Sequence, residues 1–181
     1  MATATPKRPL DRVGGVSFAY TSSMSDGKLV CAHIAKGEAY FGAVECPETA
    51  LIDDPLERIG LAKHLEGSAQ LADFSSRVAQ ELRRLQPIRV GVVRTRKYQG
   101  WVYRDAFSRI APEVAIMLTC EGLGVPYEQV RQEDAAKALQ LPPQFLVDRA
   151  AERLGVERSR YWQYRAWAFA GARWLAKEHC K

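Results

Sequence analysis

The sequence lacks several patterns that mark common classes of protein. Its cysteines are widely spaced and form no C-x-x-C pair, which disfavours a zinc knuckle. It has no G-x-G-x-x-G after a strand and no G-x-x-x-x-G-K-[ST], so dinucleotide-dependent and P-loop enzymes are disfavoured. No apolar run is long enough to span a membrane, and residues 1–12 contain no signal-peptide core. These absences favour a cytoplasmic protein in which Cys31 and Cys120, each within an apolar run, are buried thiols.

The composition is that of one globular domain with a modest excess of basic residues. The chain has 181 residues, 47% of them hydrophobic, which is enough for a sizeable core. The net charge of +5 favours an anionic partner without identifying it. We expect residues 1–12 to form a flexible arm and residues 13–181 to form a single domain.

The first half of the chain is predicted to form an antiparallel meander followed by a helix. Residues 13–22, 28–35 and 38–45 have the composition of strands. Asp26-Gly27 and Lys36-Gly37 supply tight turns between them. Residues 47–67 are predicted to be a connection with one helical turn, and residues 68–85 a helix capped by Ser68.

The second half contains a strand, a basic and aromatic loop, a helix and another strand. Residues 88–93 form a β-branched run typical of a buried strand, and residues 127–131 supply the fifth strand. Between them, residues 105–118 have helical apolar spacing, and Pro112 either kinks that helix or marks its start. Its predicted apolar face consists of Phe107, Ile110, Val114, Met117 and Leu118. The unit predicts a βαβ crossover, which places its loop at the carboxyl edge of a sheet.

The remaining residues are predicted to be helical, which completes an α/β fold. Helices are expected near 132–139, 144–154 and 159–178, with Gly155 ending the second and Ser159 capping the third. The aromatic face of the last helix is predicted to be either core or a dimer interface. Its members are Trp162, Trp167, Phe169 and Trp174.

The loop after the fourth strand is the main candidate for a binding site. Arginine forks suit phosphate oxygens, and aromatic rings can stack on bases. The same arginines could instead be solvated and paired with Asp105, Glu113 or Glu121, and both readings stay open. The basic and aromatic candidates here are Arg94, Arg96, Lys97, Tyr98, Trp101, Tyr103 and Arg104.

Other polar residues carry weaker hypotheses. His33 has apolar neighbours, and packing is a better explanation than catalysis. Cys31 shares a strand face with His33 but has no third partner in evident reach, so a cysteine hydrolase is disfavoured. The pairs Asp53-Asp54 and Glu133-Asp134 could bind a metal, although such pairs more often cap helices or solvate loops.

The order of elements resembles the ribonuclease H-like fold and, within it, the RuvC-like Holliday junction resolvases. Residues 13–22 stand where that family has its first strand. Residues 85–93 (LQPIRVGVV) resemble the end of its helix and its fourth strand, and residues 164–170 (YRAWAFA) resemble its last helix. Lys137 falls near a family lysine. The resemblance implies a five-stranded mixed sheet, with three antiparallel strands first, flanked by helices, and a homodimer.

The sequence departs from that family where its carboxylates would hold metal ions. The first-strand aspartate falls at residues 17–20, none of which is acidic. The fourth-strand glutamate aligns with Val93 or Arg94, and the last-helix aspartate aligns with Arg165. Arginine repels a divalent cation, so we expect no metal cofactor at these positions.

This departure predicts a catalytically inactive protein that binds nucleic acid, DNA rather than RNA, through phosphate contacts. The predicted binding residues are Arg94, Arg96, Lys97, Tyr98, Trp101, Arg104, Lys137 and Arg165. Two alternatives stay open. One is a scaffold subunit of a larger assembly, and the other is a nuclease with a relocated metal site built from Asp26, Glu133, Asp134 or Asp148.

Overall fold

A computed structural model describes residues 27–47, 50–52, 58–94 and 102–180. The predicted arm (1–12) and the first predicted strand (13–22) lie outside these ranges.

A five-stranded mixed sheet forms the centre of the fold, as predicted. Its strands are β1 (Gly27–Ala35), β2 (Glu38–Cys46), β3 (Arg58–Gly60), β4 (Pro87–Val93) and β5 (Tyr127–Val130), in the order β3-β2-β1-β4-β5. The β1–β2 and β2–β3 pairs are antiparallel, whereas β1–β4 and β4–β5 are parallel. The parallel strands β1, β4 and β5 therefore end at one common edge of the sheet.

The identity of the three antiparallel strands differs from the prediction. They are β1, β2 and β3, and β3 lies within the segment predicted to be a helical connection. β3 has only three residues, too few for a period-two pattern to be recognised. Cross-strand charge helps to define it, because Arg58 forms an ion pair with Glu38 of β2 at 2.8 Å. Among the described residues, the central strand that comes first in the chain is Gly27–Ala35.

Helices cover both faces of the sheet, and each face has its own core. On one face, Val30, Ala32 and Val92 pack with residues of α1 and α2. On the other, Leu29 and Val93 pack with residues of α3, α4 and α5. A 3₁₀ turn (Pro143–Phe145) precedes α4. The helices are α1 (Gly67–Leu85), α2 (Tyr103–Leu123), α3 (Gln132–Ala138), α4 (Leu146–Leu154) and α5 (Trp162–His179).

α5 packs very close to the sheet because small residues lie at the contact. A Cβ atom on Gly42 of β2 would lie 2.6 Å from the backbone nitrogen of Phe169, and a Cβ on Gly91 of β4 would lie 2.9 Å from Leu175 Cδ1. Trp162 and Phe169 are each 6% exposed and stack with ring centroids 6.2 Å apart. This part of the aromatic face of α5 is therefore core.

The helix boundaries differ from the predicted ones in two informative places. α2 runs through Pro112, which is buried inside the helix and marks neither its start nor its end. The apolar side of α2 predicted from spacing is largely exposed, because the helix turns Ala115, Ile116 and Cys120 to the core. Neither predicted serine cap is present: Ser159 does not cap α5, whose N-cap is Tyr161, and Ser68 lies inside α1, whose N-cap is Glu66.

Two of the four cysteines form a disulfide that was not predicted. Cys46 at the end of β2 is bonded to Cys180, just after α5, with Cα atoms 5.7 Å apart. Cys31 and Cys120 are buried free thiols, as predicted. Across the described helices, none has the length and apolar character needed to cross a lipid bilayer.

Candidate functional site

The carboxyl ends of β1, β4 and β5 meet beside the N-terminal part of α5. His33 of β1 lies opposite Val93 of β4, and Val93 lies opposite Val130 of β5. The backbone N–H of Arg94, directly after β4, donates to the carbonyl of Val130 at 2.8 Å. α/β proteins usually place ligand sites at such an edge.

His33 lies at the centre of this edge and is buried. It is 8% exposed, and its ring centroid lies 6.2 Å from that of Trp167 on α5. Its Nδ1 atom has no hydrogen-bond partner within the described part of the chain. Burial, followed by the positive charge of Arg109, lowers the pKa of His33 to about 4. The predicted packing role agrees with this burial, and the imidazole is neutral at pH 7.

We expect His33 to make the protein sensitive to mild acid. The unfolded chain takes up a proton at this side chain near pH 6.5, whereas the folded chain does so only near pH 4. Stability therefore falls as pH falls between these values, by about 2 kcal/mol from pH 7 to pH 5. Urea unfolding at both pH values should show this loss. This loss of stability should be smaller in His33→Leu and unchanged in His64→Asn, which removes an exposed histidine. An equal loss in both variants would contradict the assignment of the effect to His33.

α5 presents aromatic residues to the edge, whereas its Arg165 side chain is buried. Tyr164 stacks on Tyr40 of β2 with ring centroids 4.5 Å apart, and Trp167, one turn further on, faces His33. Arg165 is only 5% exposed, with its Nε donating to the carbonyl of Phe41 and a terminal nitrogen to Ser159 Oγ, both at 3.3 Å. A step of one residue turns a helix by about 100°. The prediction of a phosphate-gripping Arg165 does not fit this burial.

Five rings therefore gather where the predicted site was expected to hold arginine. We call them the aromatic cluster: His33, Tyr40, Tyr161, Tyr164 and Trp167. The centroids of Tyr40 and Tyr161 are 5.7 Å apart. Sequence reasoning missed the cluster. The spacing of Tyr161, Tyr164 and Trp167, each three residues apart, was the available signal, because it places them on one side of a helix.

The structure describes only some of the predicted basic residues. Arg94 is exposed at the end of β4, and Arg104 is exposed in the first turn of α2. Lys137 is exposed in the last turn of α3, and no described contact joins it to the strand ends. The other predicted residues lie outside the described ranges: Arg96, Lys97, Tyr98 and Trp101.

A half-buried carboxyl group lies near Arg94. Burial raises the pKa of Glu113, while the amide of Gln129, which donates to it at 2.6 Å, and the charge of Arg94 lower it in part. This interaction between Arg94 and Glu113 supports the alternative interpretation for one residue, since that interpretation pairs the loop arginines with neighbouring acidic residues.

Comparison with solved structures identifies the fold. The Thermus thermophilus RuvC structure matches with a TM-score of 0.66 and 16% identity, covering 84% of this chain and 97% of that chain. The fold is RuvC-like. The structure of T. thermophilus RuvC in complex with a Holliday junction substrate matches with a TM-score of 0.68 and 17% identity, covering 84% and 96%. The yeast mitochondrial Holliday junction resolvase Ydc2 matches with a TM-score of 0.51 and 12% identity, covering 82% and 79%.

The likeness to RuvC lies in the fold and not in the sequence. No protein-family model matches the chain, and no curated protein matches it. The RuvC-like, ribonuclease H-like architecture agrees with the predicted fold class.

The described residues at the edge of this RuvC-like sheet do not suit a divalent metal ion. Magnesium prefers several anionic oxygen ligands, whereas His33, Val93, Arg94 and Trp167 supply none. The two carboxylates near the edge already have partners: Glu38 pairs with Arg58 at 2.8 Å, and Glu113 accepts from Gln129 at 2.6 Å. Within the described ranges, no three His, Cys, Asp or Glu side chains converge on one point. Among the described residues, no metal-binding group of three ligands therefore includes Glu133, Asp134 or Asp148. Asp134 instead accepts a hydrogen bond from Arg131 at 2.6 Å. Asp26 lies outside the described ranges.

Proposed function

We propose that this chain is a catalytically inactive, RuvC-like protein that binds DNA at the carboxyl edge of its sheet. One observation carries the proposal: the described strand ends bear rings and guanidinium groups in place of a carboxylate set. The net charge of +5 favours a polyanion. The neighbour in complex with a Holliday junction supports DNA over other polyanions, by analogy of fold.

Arg94 and Arg104 are the described residues best placed to hold phosphate. Both are exposed, one directly after β4 and one in the first turn of α2. Arginine forms two parallel hydrogen bonds to phosphate oxygens, and each contact releases condensed counterions from DNA. Arg96, Lys97, Tyr98, Trp101 and Lys137 remain proposed contacts, whereas we no longer propose Arg165 because of its burial.

We expect the variant Arg94→Ala/Arg104→Ala to bind DNA at least 10-fold more weakly than the unchanged protein in low salt. Each lost phosphate contact lowers the slope of log affinity against log salt by roughly one unit. Gel-shift titrations with duplex, junction and single-stranded probes measure both quantities. The matched control is Arg83→Ala/Lys177→Ala, which removes the same charge from the last turns of α1 and α5.

Two results would overturn the proposal. Absence of binding to every probe in low salt would refute DNA binding and favour a scaffold. Cleavage of a labelled junction with magnesium or manganese, abolished by Asp134→Asn, would refute inactivity and establish the relocated nuclease. A cytoplasmic location is part of the proposal and stays a prediction.

We further propose that two copies pair through α2. Exposed or half-buried apolar residues recur along it with alternating spacings of four and three, as in a coiled-coil seam. The seam contains Tyr103 (84% exposed), Phe107, Ile110 (51%), Val114 (39%) and Met117 (39%). In an antiparallel pair of copies, Ile110 would face Val114 and Phe107 would face Met117, so the seam is self-complementary. An apolar groove of about 410 Å³ lies beside it, against Leu71 of α1.

Replacing Ile110 with aspartate should convert a dimer into a monomer. An aspartate at this position would be buried without a partner in the paired state, which raises the dissociation constant by at least 100-fold. Sedimentation velocity over a concentration series measures the change. Phe145→Asp alters another exposed apolar residue, 45% exposed, and should leave the dimer intact. A monomeric unchanged protein at all concentrations would contradict the pairing.

A further inference from the structure

We propose that the aromatic cluster stacks on an unpaired nucleobase, so that the chain prefers single-stranded or frayed DNA to fully paired duplex. This inference rests on the proposed function and adds the class of DNA and the residues that select it. It assigns a role to a part of the edge that the predicted phosphate contacts do not use.

The geometry of the cluster is that of a stacking surface built from two distant parts of the chain. β2 contributes Tyr40, which lies under Tyr164 at 4.5 Å with ring planes 29° apart. The N-cap of α5 adds Tyr161, 5.7 Å from Tyr40, and the helix itself adds Trp167, 6.2 Å from His33. Stacking of a base on an aromatic side chain tolerates any sequence, since every base has a π face.

Exposure distinguishes Tyr161, Tyr164 and Trp167 from the aromatic residues of the core, whereas His33 (8% exposed) and Tyr40 (2% exposed) form the buried part of the cluster. On the same helix, Trp162 and Phe169 are each 6% exposed and pack inside the protein. Tyr161, Tyr164 and Trp167 are only partly buried, although Arg165 and Ala166, which lie between Tyr164 and Trp167, are buried. These three rings therefore keep part of their surface accessible to a ligand.

Two guanidinium groups and one carboxylate, that of Glu38, which accepts from the Tyr40 hydroxyl, lie beside the rings, so positive charge is in excess there. The Arg58 guanidinium lies 4.4 Å from the centroid of Tyr161, and that of Arg160 lies 5.4 Å from it. Arg58 remains 42% exposed while paired with Glu38, and Arg160 is exposed. These charges disfavour a cationic ligand such as a methylated lysine, which aromatic cages otherwise hold. A nucleotide, which is a planar base attached to a phosphate, matches both the aromatic rings and the positive charge beside them.

The preference for unpaired DNA follows because stacking on a protein ring requires the face of the base. Bases in a duplex stack on one another and expose only their edges in the grooves, so their faces cannot reach a protein ring without unstacking. A single strand or a frayed end offers those faces directly. The aromatic cluster therefore favours unpaired bases, whereas Arg94 and Arg104 bind phosphates of either form.

The test compares two fluorescein-labelled strands with equal numbers of phosphates. One is a 15-residue thymidine strand, and the other has abasic sites at every position except the labelled end. Fluorescence polarisation in low salt should show at least 10-fold tighter binding of the thymidine strand, since stacking of one base corresponds to about 5- to 150-fold. Tyr161→Ala and Trp167→Leu should each reduce this ratio. Phe145→Ala is the matched control, because Arg149 lies over that ring at 5.5 Å outside the cluster.

Each outcome decides between the two proposals. Equal affinity for the two strands overturns base stacking and leaves phosphate binding intact, whereas no binding of either strand overturns both. A ratio that survives Tyr161→Ala and Trp167→Leu, in variants whose thermal unfolding resembles that of the unchanged protein, overturns the assignment to this cluster. A second measurement uses intrinsic fluorescence: thymidine should quench the emission of Trp167, and Trp167→Phe should remove that quenching. Persistence of the full quenching in Trp167→Phe counts against the proposal.

Discussion

Replacing Gly42 with alanine should lower the free energy of unfolding by about 3 kcal/mol, because the added methyl group has no room between β2 and α5. Its Cβ would lie 2.6 Å from the nitrogen of Phe169 and 2.9 Å from the carbonyl carbon of Ala168. Both are backbone atoms, so no side-chain rotation relieves the overlap and the helix must move away from the sheet. Urea unfolding at neutral pH measures the change.

Gly122→Ala is the matched control for this substitution. Gly122 lies in the last turn of α2 with no atom within 4 Å of an added Cβ. Alanine should stabilise that helix by about 0.5 kcal/mol, since glycine has the lower helix propensity. If Gly42→Ala proved as harmless as Gly122→Ala, the close packing of α5 on β2 would be wrong.

Breaking the Cys46–Cys180 disulfide should lower the free energy of unfolding by about 4 kcal/mol and the melting temperature by about 10 °C. The bond joins residues separated by 134 positions, so it removes a large loop-closure entropy from the unfolded chain. Thermal unfolding of Cys180→Ser, with and without dithiothreitol, measures the effect. Dithiothreitol should lower the melting temperature of the unchanged protein to that of the variant, and it should leave the melting temperature of the variant unchanged.

This prediction also bears on the compartment in which the protein works. Disulfides are rare in the cytosol, where thiols are kept reduced, so the predicted cytoplasmic location favours a free Cys46 and Cys180 in the cell. Alkylation of freshly lysed cells, followed by mass spectrometry of the peptides that contain Cys46 and Cys180, distinguishes the two states. Equal melting of oxidised and reduced protein would refute the expected stabilisation.

Much of the fold could be predicted from local sequence. β1, β2, β4 and α1 have the spacings that define their class, and Gly155 ends α4 in the left-handed conformation expected of it, with φ of 67°. β3 could not be found this way, because a three-residue edge strand exists only by pairing with β2. The spacing along α2 correctly revealed an apolar stripe. It could not tell that the core takes the other side of the helix, which depends on how α1 and the sheet pack there.

The sequence-based prediction and the structure-based proposal place the candidate site at the same edge of the sheet, but with different residues. The βαβ order of elements sufficed to place Arg94 at the end of β4. It could not place Tyr40 under Tyr164, because β2 and α5 meet only in the folded chain. Nor could it reveal that Arg165 points inward, since Tyr164 and Arg165 are adjacent and only the position of the helix on the sheet decides which one faces the edge.

The tight contact between α5 and the sheet offers a way to recognise distant relatives of this protein. Gly42 of β2, Gly91 of β4 and Gly171 of α5 all lie where α5 packs on the sheet, and a larger side chain at any of them would collide with a neighbour. The requirement for glycine at these positions comes from packing alone, so it does not depend on whether the strand ends carry acidic, basic or aromatic residues. Searches built on the spacing of these glycines and the alanines around Gly171 should retrieve chains that searches built on nuclease carboxylates pass over.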